Sequence, residues 1–177
     1  MGYFNEDKSD KNNHNIYLSE LSDICLEQLM LSSDAYTCMI KMNLHGYKRL
    51  HRHLSKKFHD LYLTIQSKAM ESTGMPAENN SNFEVYKAKD LKEHLHKWNE
   101  KIEEHLKIVS KVIRCIFEEE GYICCIAQDI QKCLFKNLIK NERAIQRFCD
   151  CDWSPEIIYY YDDKLHKKIK QKEEDSK

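Results

Sequence analysis

Five sets of side chains in this sequence could do chemistry. His105 stands alone among apolar residues, on the stripe Leu95, Trp98, Ile102, His105, Val109, Val112 and Ile116. An imidazole there is either satisfied by a neighbouring polar group, with Ser32 and Gln28 as candidates, or it ligates a metal. Glu93-x-x-His96 has the i, i+3 spacing that puts both groups on one helical face, as one metal would need. Leu95 and Trp98 beside it claim the core, so the pair reads as solvated. Glu103-Glu104 and Glu118-Glu119-Glu120 carry carboxylate oxygens that suit hard cations, against the reading of a plain solvated face. His51, His53 and His59 fall off their helix's stripe and read as a basic solvated face.

The eight cysteines are Cys25, Cys38, Cys115, Cys124, Cys125, Cys133, Cys149 and Cys151. Cys25, Cys38, Cys115 and Cys133 lie in apolar helical surroundings and read as small core residues. Cys124-Cys125 and Cys149-x-Cys151 lack the two-residue gap and matching second pair of a structural zinc site.

These groups are positioned by long helices. Asp90–Glu120 holds no Gly or Pro, and its stripe alternates spacings of three and four, the pattern by which a helix packs along others. At 1.5 Å per residue it would run roughly 45 Å and needs partners of similar length. Ile16–His45 supplies one, with Leu18, Leu21, Cys25, Gln28, Ser32, Ala35, Met39 and Met42 inward and Gly46 as its breaker. Tyr47–Thr73 supplies another through Leu50, Leu54, Phe58, Leu61, Ile65 and Ala69, closed by Gly74-Met75-Pro76. Ile123–Phe148 is the fourth. Ser154-Pro155-Glu156 starts a short fifth helix. The thirteen residues Ala77–Lys89 are too many for a hairpin. Extended at ~3.3 Å each they cross the bundle's length, making helices two and three parallel. The fold class is all-α, a four-helix bundle with a long crossover and a short fifth helix. Its organisation is a disordered polar tail over 1–15, the bundle over 16–166 and a charged tail over 167–177.

Composition narrows the function. The chain has 177 residues, with Lys+Arg 28 against Asp+Glu 29 and a formal charge of −1. That balance favours neither nucleic acid nor an anionic membrane as partner. No apolar run approaches the ~20 residues of a membrane span. The polar start has no apolar segment of a signal peptide, so the expected location is cytoplasmic with reduced thiols.

The layout resembles ferritin, and local strings do too. Leu26-Glu27-Gln28-Leu29-Met30-Leu31 followed by Ala35-Tyr36 is similar to the ferritin first helix. Gly74-Met75-Pro76 is similar to the turn closing the second helix of bacterial ferritins. Pro155-Glu156 with Tyr161, Asp163-Lys164 and His166 is similar to the end of animal ferritins. The resemblance implies iron as cargo and a homo- or hetero-oligomeric cage with other ferritin subunits. It implies packing of Tyr159-Tyr160-Tyr161 at a subunit axis, where the alternative is capping of its own bundle. If they faced a cage lumen, Glu103, Glu104 and the Glu118–Glu120 run would nucleate ferric oligomers.

Departures from the family pattern bear on the activity. The family's di-iron centre needs Glu from two helices and Glu-x-x-His on a third. Anchoring on Gln28 puts Ser32 at the position of a lost ligand. The second helix has only Glu71, at its end, and no Glu-x-x-His. The third-helix Glu falls at or next to His105, and Asn141-Glu142-Arg143 offers one acid on the fourth. His105 and Glu142 are the remnant metal positions. The expected function is an iron-storage subunit without a complete ferroxidase centre, as in light-chain-type subunits, with no catalytic residue assigned. Two alternatives are a metal-free interaction protein on the same fold and a haem bundle using Met39, Met42 and His105. The latter has no Cys-x-x-Cys-His motif, and no nucleotide motif is present.

Overall fold

The computed structural model describes residues 6–80, 84–116 and 121–176, the side chains of 6–14 excepted. Its elements are α1 (Glu6–Lys41), α2 (His45–Thr73), α3 (Leu91–Ile116), α4 (Gly121–Asp150) and α5 (Pro155–Glu174). The inward stripes form the core: Leu18, Leu21, Cys25, Ala35 and Met39 meet Phe58, Ile65, Val109, Ile130 and Leu134, all 0% exposed. Burying apolar surface on all four long helices stabilises the bundle at about 25 cal/mol per Å².

Helices α1 and α2 form one hairpin, with Ser22 near the start of α1 bonded to Gln66 near the end of α2. Helices α2 and α3 run parallel. His94 in the first turn of α3 meets His51 early in α2, while Lys68 near the end of α2 lies over the Tyr122 ring beyond the end of α3. The crossover between them walks along α1. Asn80 N–H bonds Asp23 at 3.1 Å and Tyr86 N–H bonds Asp34 at 2.9 Å, two anchors about 16 Å apart on a helix. Gln66 holds its start through both the N–H and the C=O of Ala77.

Several boundaries differ from the sequence reading. Helix α1 runs back to Glu6, so most of the span read as a disordered tail is helical. It stops at Lys41, where Asn43 turns left-handed (φ 58°) and Leu44 N–H bonds the Met39 carbonyl. Gly46 is therefore no breaker; it sits inside the first turn of α2. Gly74 does close α2, left-handed at φ 76° with its N–H on the Met70 carbonyl. Helix α5 is the shortest of the five, yet at 20 residues it takes in much of the span read as a charged tail. Its Ser154 makes no side-chain cap bond. Glu118, Glu119 and Glu120 lie outside the described residues.

Candidate functional site

His105 is 2% exposed and both of its ring nitrogens are engaged. The directions follow from Trp98, whose indole N–H can only donate. It points at Gln28 Oε1, 3.4 Å away, so the amide NH2 of Gln28 faces His105. That amide donates to His105 Nδ1 over 3.0 Å. His105 Nε2–H in turn donates to Glu27 Oε2 over 2.8 Å. Adjacent residues of α1 thus clasp one imidazole of α3 from two sides. The bond from His105, with Lys101 beside it, holds the Glu27 carboxyl down at about 2. Lys101 links Glu27 to Glu104 at 3.1 and 2.9 Å. Ser32, one turn from Gln28, is fully buried and its Oγ has no partner.

A second polar group lies one to three turns earlier on α3. His51 and His94 are both 0% exposed, with Nε2 atoms 2.8 Å apart. Tyr86 OH from the crossover sits 2.6 Å from His94 Nδ1 and 3.1 Å from the His94 carbonyl. Trp98 packs against both rings. Burial pushes His94 down to about 3, and burial together with His94 pushes His51 well below its ordinary value. His51 Nδ1 has no partner. The reading of His51 as part of a solvated face is thus corrected, while His53 and His59 are exposed. The third group is amide: Asn99, Asn137 and Asn141 are all buried.

The remaining sequence candidates fall on the surface. Glu142 is exposed beside buried Asn141 and does not join His105. Glu103 and Glu104 are exposed. Glu93 bonds Lys97 and the Lys89 N–H, and His96 is exposed against the Trp153 ring. Cys115, read as a core residue, is exposed, whereas Cys25 and Cys133 are buried.

A di-iron group does not fit these donors. Two cations need several carboxylates to balance their charge. The buried polar side chains between the long helices are Ser22, Gln28, Ser32, His51, His94, Asn99, His105, Asn137 and Asn141, none of them an acid. The nearest carboxylate, Glu27, is already bonded to His105 and Lys101. Among the described residues no three or more His, Cys, Asp or Glu side chains are grouped to hold a metal ion.

The pattern contained more than the sequence reading took from it. Tyr47, His51, Leu54 and Phe58 keep the spacing of four, three and four. Leu134, Asn137, Asn141, Ile145 and Phe148 recur at three, four, four and three on α4. Unlike Gln28, Ser32 and His105, these polar members lie on stripes of the second and fourth helices that apolar residues alone already define.

No protein-family model matches the chain, and no curated protein matches it. Solved structures do. An open-pore ferritin from the hyperthermophilic archaeon Archaeoglobus fulgidus superposes with TM-score 0.74 at 9% identity, over 87% of this chain and 94% of that one. The Desulfovibrio desulfuricans bacterioferritin, a protein described with a diiron site, superposes with TM-score 0.76 at 9% identity, over 91% of each chain. No described helix is long and apolar enough to cross a membrane. The crossover, the parallel second and third helices and the fifth helix are thus those of a ferritin-like fold, reached by a highly divergent sequence.

Proposed function

We propose that this chain is a ferritin-fold subunit that serves iron storage within an oligomeric cage without itself oxidising ferrous iron. The observation that carries the second half is the closed hydrogen-bond chain Trp98–Gln28–His105–Glu27. It occupies the buried indole, amide and imidazole with one another and with the Glu27 carboxylate, itself paired to Lys101, which stabilises this part of the interior without metal. The fold supports the first half. A surface groove of 470 Å³ between α1, the crossover and α3 carries Glu27, Glu84, Glu100 and Glu104 beside Lys87, Lys97 and Lys101. Lys101 pairs with Glu27 and Glu104, and the carboxylates are oxygen donors of the kind ferric iron takes. Half-exposed Leu63 and Met70, two turns apart on α2, give the bundle apolar surface to bury in assembly.

Size-exclusion chromatography with light scattering, followed by iron analysis after aerobic loading beside an oxidase-competent ferritin, tests this reading. A large assembly that retains iron with the partner present is expected. A monodisperse monomer that retains none would favour a metal-free interaction protein on the same fold.

A further inference from the structure

We propose that five lysines at the seam of α2, α4 and α5 form a binding site for a small multivalent phosphate. Lys136 and Lys140 stand one turn apart on α4, and Lys168 and Lys172 one turn apart on α5. Helix α5 lies along α2, from Asp162 at Gly46 to Glu173 at Arg49 and His53. Its Tyr161 reaches Arg147 and Phe148 near the end of α4. Arg147, Lys140 and Lys136 recur seven and four residues apart on α4, as Tyr161, Lys168 and Lys172 do on α5, so the Arg147–Tyr161 contact turns both lysine pairs toward one seam, each pair about 6 Å apart along its helix. Lys57 of α2 joins from the third side, its charge acting on Cys133 of α4 together with those of Lys136 and Lys140.

The charge at this seam is not answered by the protein. Asp60 is the only carboxylate on residues 45–70 of α2. Of the acids nearby, Glu173 is engaged by Arg49 and His53 and Glu174 by Lys170, while Glu142 and Asp175 are exposed and form no ion pair with the five lysines. None of the five lysines has an ion-pair partner among the described residues. The ammonium of Lys140 is held below its ordinary value, first by desolvation and then by Lys136, Lys172 and Lys168. A chain of formal charge −1 that collects five cations at one place creates a local field that concentrates anions.

The geometry favours linked phosphates. Ammonium groups are point-charge phosphate binders, and four of them a helical turn apart can each take an oxygen from a short phosphate chain. A tripolyphosphate brings more charge and more oxygens to them than one orthophosphate does. The described contacts give no aromatic face stacked among these lysines, which sequence-tolerant nucleic-acid binding would use. The site is independent of the iron-storage reading, because none of its residues lies in the interior groups or in the groove between α1, the crossover and α3.

Calorimetric titration of the full chain with sodium tripolyphosphate at ~0.1 M salt tests it, where screening acts beyond about 10 Å. Saturable binding near one per subunit is expected, at least about tenfold tighter than orthophosphate. Either Lys136→Gln/Lys140→Gln or Lys168→Gln/Lys172→Gln should weaken it about tenfold, since charge-assisted bonds are the strong ones. The exposed α3 pair Lys107→Gln/Lys111→Gln should leave it unchanged. These substitutions are at solvent-reaching positions, and circular dichroism verifies that the helices persist. The Lys140 amine, followed by NMR, should titrate higher with tripolyphosphate bound. No saturable binding, equal loss in the α3 variant, or a single-stranded oligonucleotide that binds more tightly and ignores the lysine substitutions would each overturn the proposal.

Discussion

Asp162 and Gly46 join α5 to the first turn of α2. The Asp162 carboxylate accepts the backbone N–H of Gly46 at 3.0 Å and that of Tyr47 at 2.9 Å. These are among the donors that a helix start leaves without partners. The carboxylate is 3% exposed and sits at the positive end of the α2 dipole. Gly46 is required for the approach, because a Cβ there would collide with the Asp162 backbone carbonyl. The fifth helix therefore docks on its own bundle. Tyr161 packs on Phe148 under the Arg147 guanidinium, and Tyr159 and Tyr160 remain half-exposed.

The first prediction concerns this joint. Asp162→Ala strands two N–H groups and should cost about 3 kcal/mol, from the loss of bonds to a charged acceptor. Gly46→Ala should cost about 2 kcal/mol by overpacking against the same carbonyl. The two should be less than additive, since either one undocks α5. Urea unfolding measures the costs, and limited proteolysis should show earlier cleavage within 155–174. Full additivity with unchanged cleavage would mean that α5 is held by other contacts.

The second prediction concerns pH. His51 and His94 are buried neutral, with His94 at about 3 and His51 also depressed. The groups that face them are each other, Tyr86 and Trp98, none of which can hold a second positive charge. The unfolded chain binds protons at these residues once pH falls below about 6.5, while the folded chain does not. Stability is therefore fully present above that value and lost as pH falls, by up to about 1.4 kcal/mol per pH unit for each histidine. The window from 6.5 to 4.5 isolates them from Glu27, whose contribution is lost only between its ordinary 4.5 and about 2. Urea midpoints from pH 7 to 4.5 should fall steeply in the parent chain and less in His51→Leu/His94→Phe. Equal slopes would assign the effect elsewhere.

How much of this could be read from the sequence differs by kind of residue. The stripes of α1 and α3 were legible because apolar burial imposes a period on side-chain type. Every member from Leu18 to Met39, and from Leu95 to Ile116, is buried. The crossover was legible from the length of one connection. Pairing of His105 with Gln28 was one of the alternatives that its place on the stripe left open. The histidine pair was not legible, because a polar residue at a core position carries no mark of its partner 43 positions away. Asp162 was hidden for a similar reason: within a charged run, only tertiary contact distinguishes the one carboxylate that caps a helix from its neighbours.

The third prediction separates charge from hydrogen bonding at Glu27. Glu27→Gln keeps an oxygen for His105 Nε2–H and loses the attraction of Lys101, a partly exposed pair worth under about 1 kcal/mol. Glu27→Ala leaves the buried Nε2–H without an acceptor and should cost about 1–3 kcal/mol. The Gln variant should also lose the part of acid destabilisation that appears as pH drops from 4.5 towards 2, because a carboxylate held low stabilises the fold only while ionised. Equal costs for the two variants would show that His105 does not depend on this acceptor.

The last prediction asks whether His105 is structural or chemical. As a clasped imidazole it serves the bundle: His105→Ala removes the partner of Gln28 and of Glu27, opens a cavity beside Trp98, and should destabilise by about 2–4 kcal/mol. As a ligand it would instead govern iron oxidation. The donors within reach argue for the first, since Gln28 and Ser32 bring no charge and Glu27 is already shared with Lys101. Two ferrous ions placed there would repel each other with one carboxylate to offset them. Exposed Glu142 offers no remedy, and Glu142→Ala should change neither stability nor oxidation. In stopped-flow mixing with ferrous iron and oxygen, the parent chain should match buffer, as should His105→Ala and Glu142→Ala. Saturable oxidation at about two irons per subunit, abolished by His105→Ala at a temperature where that variant is still folded, would show that the clasp opens to bind metal.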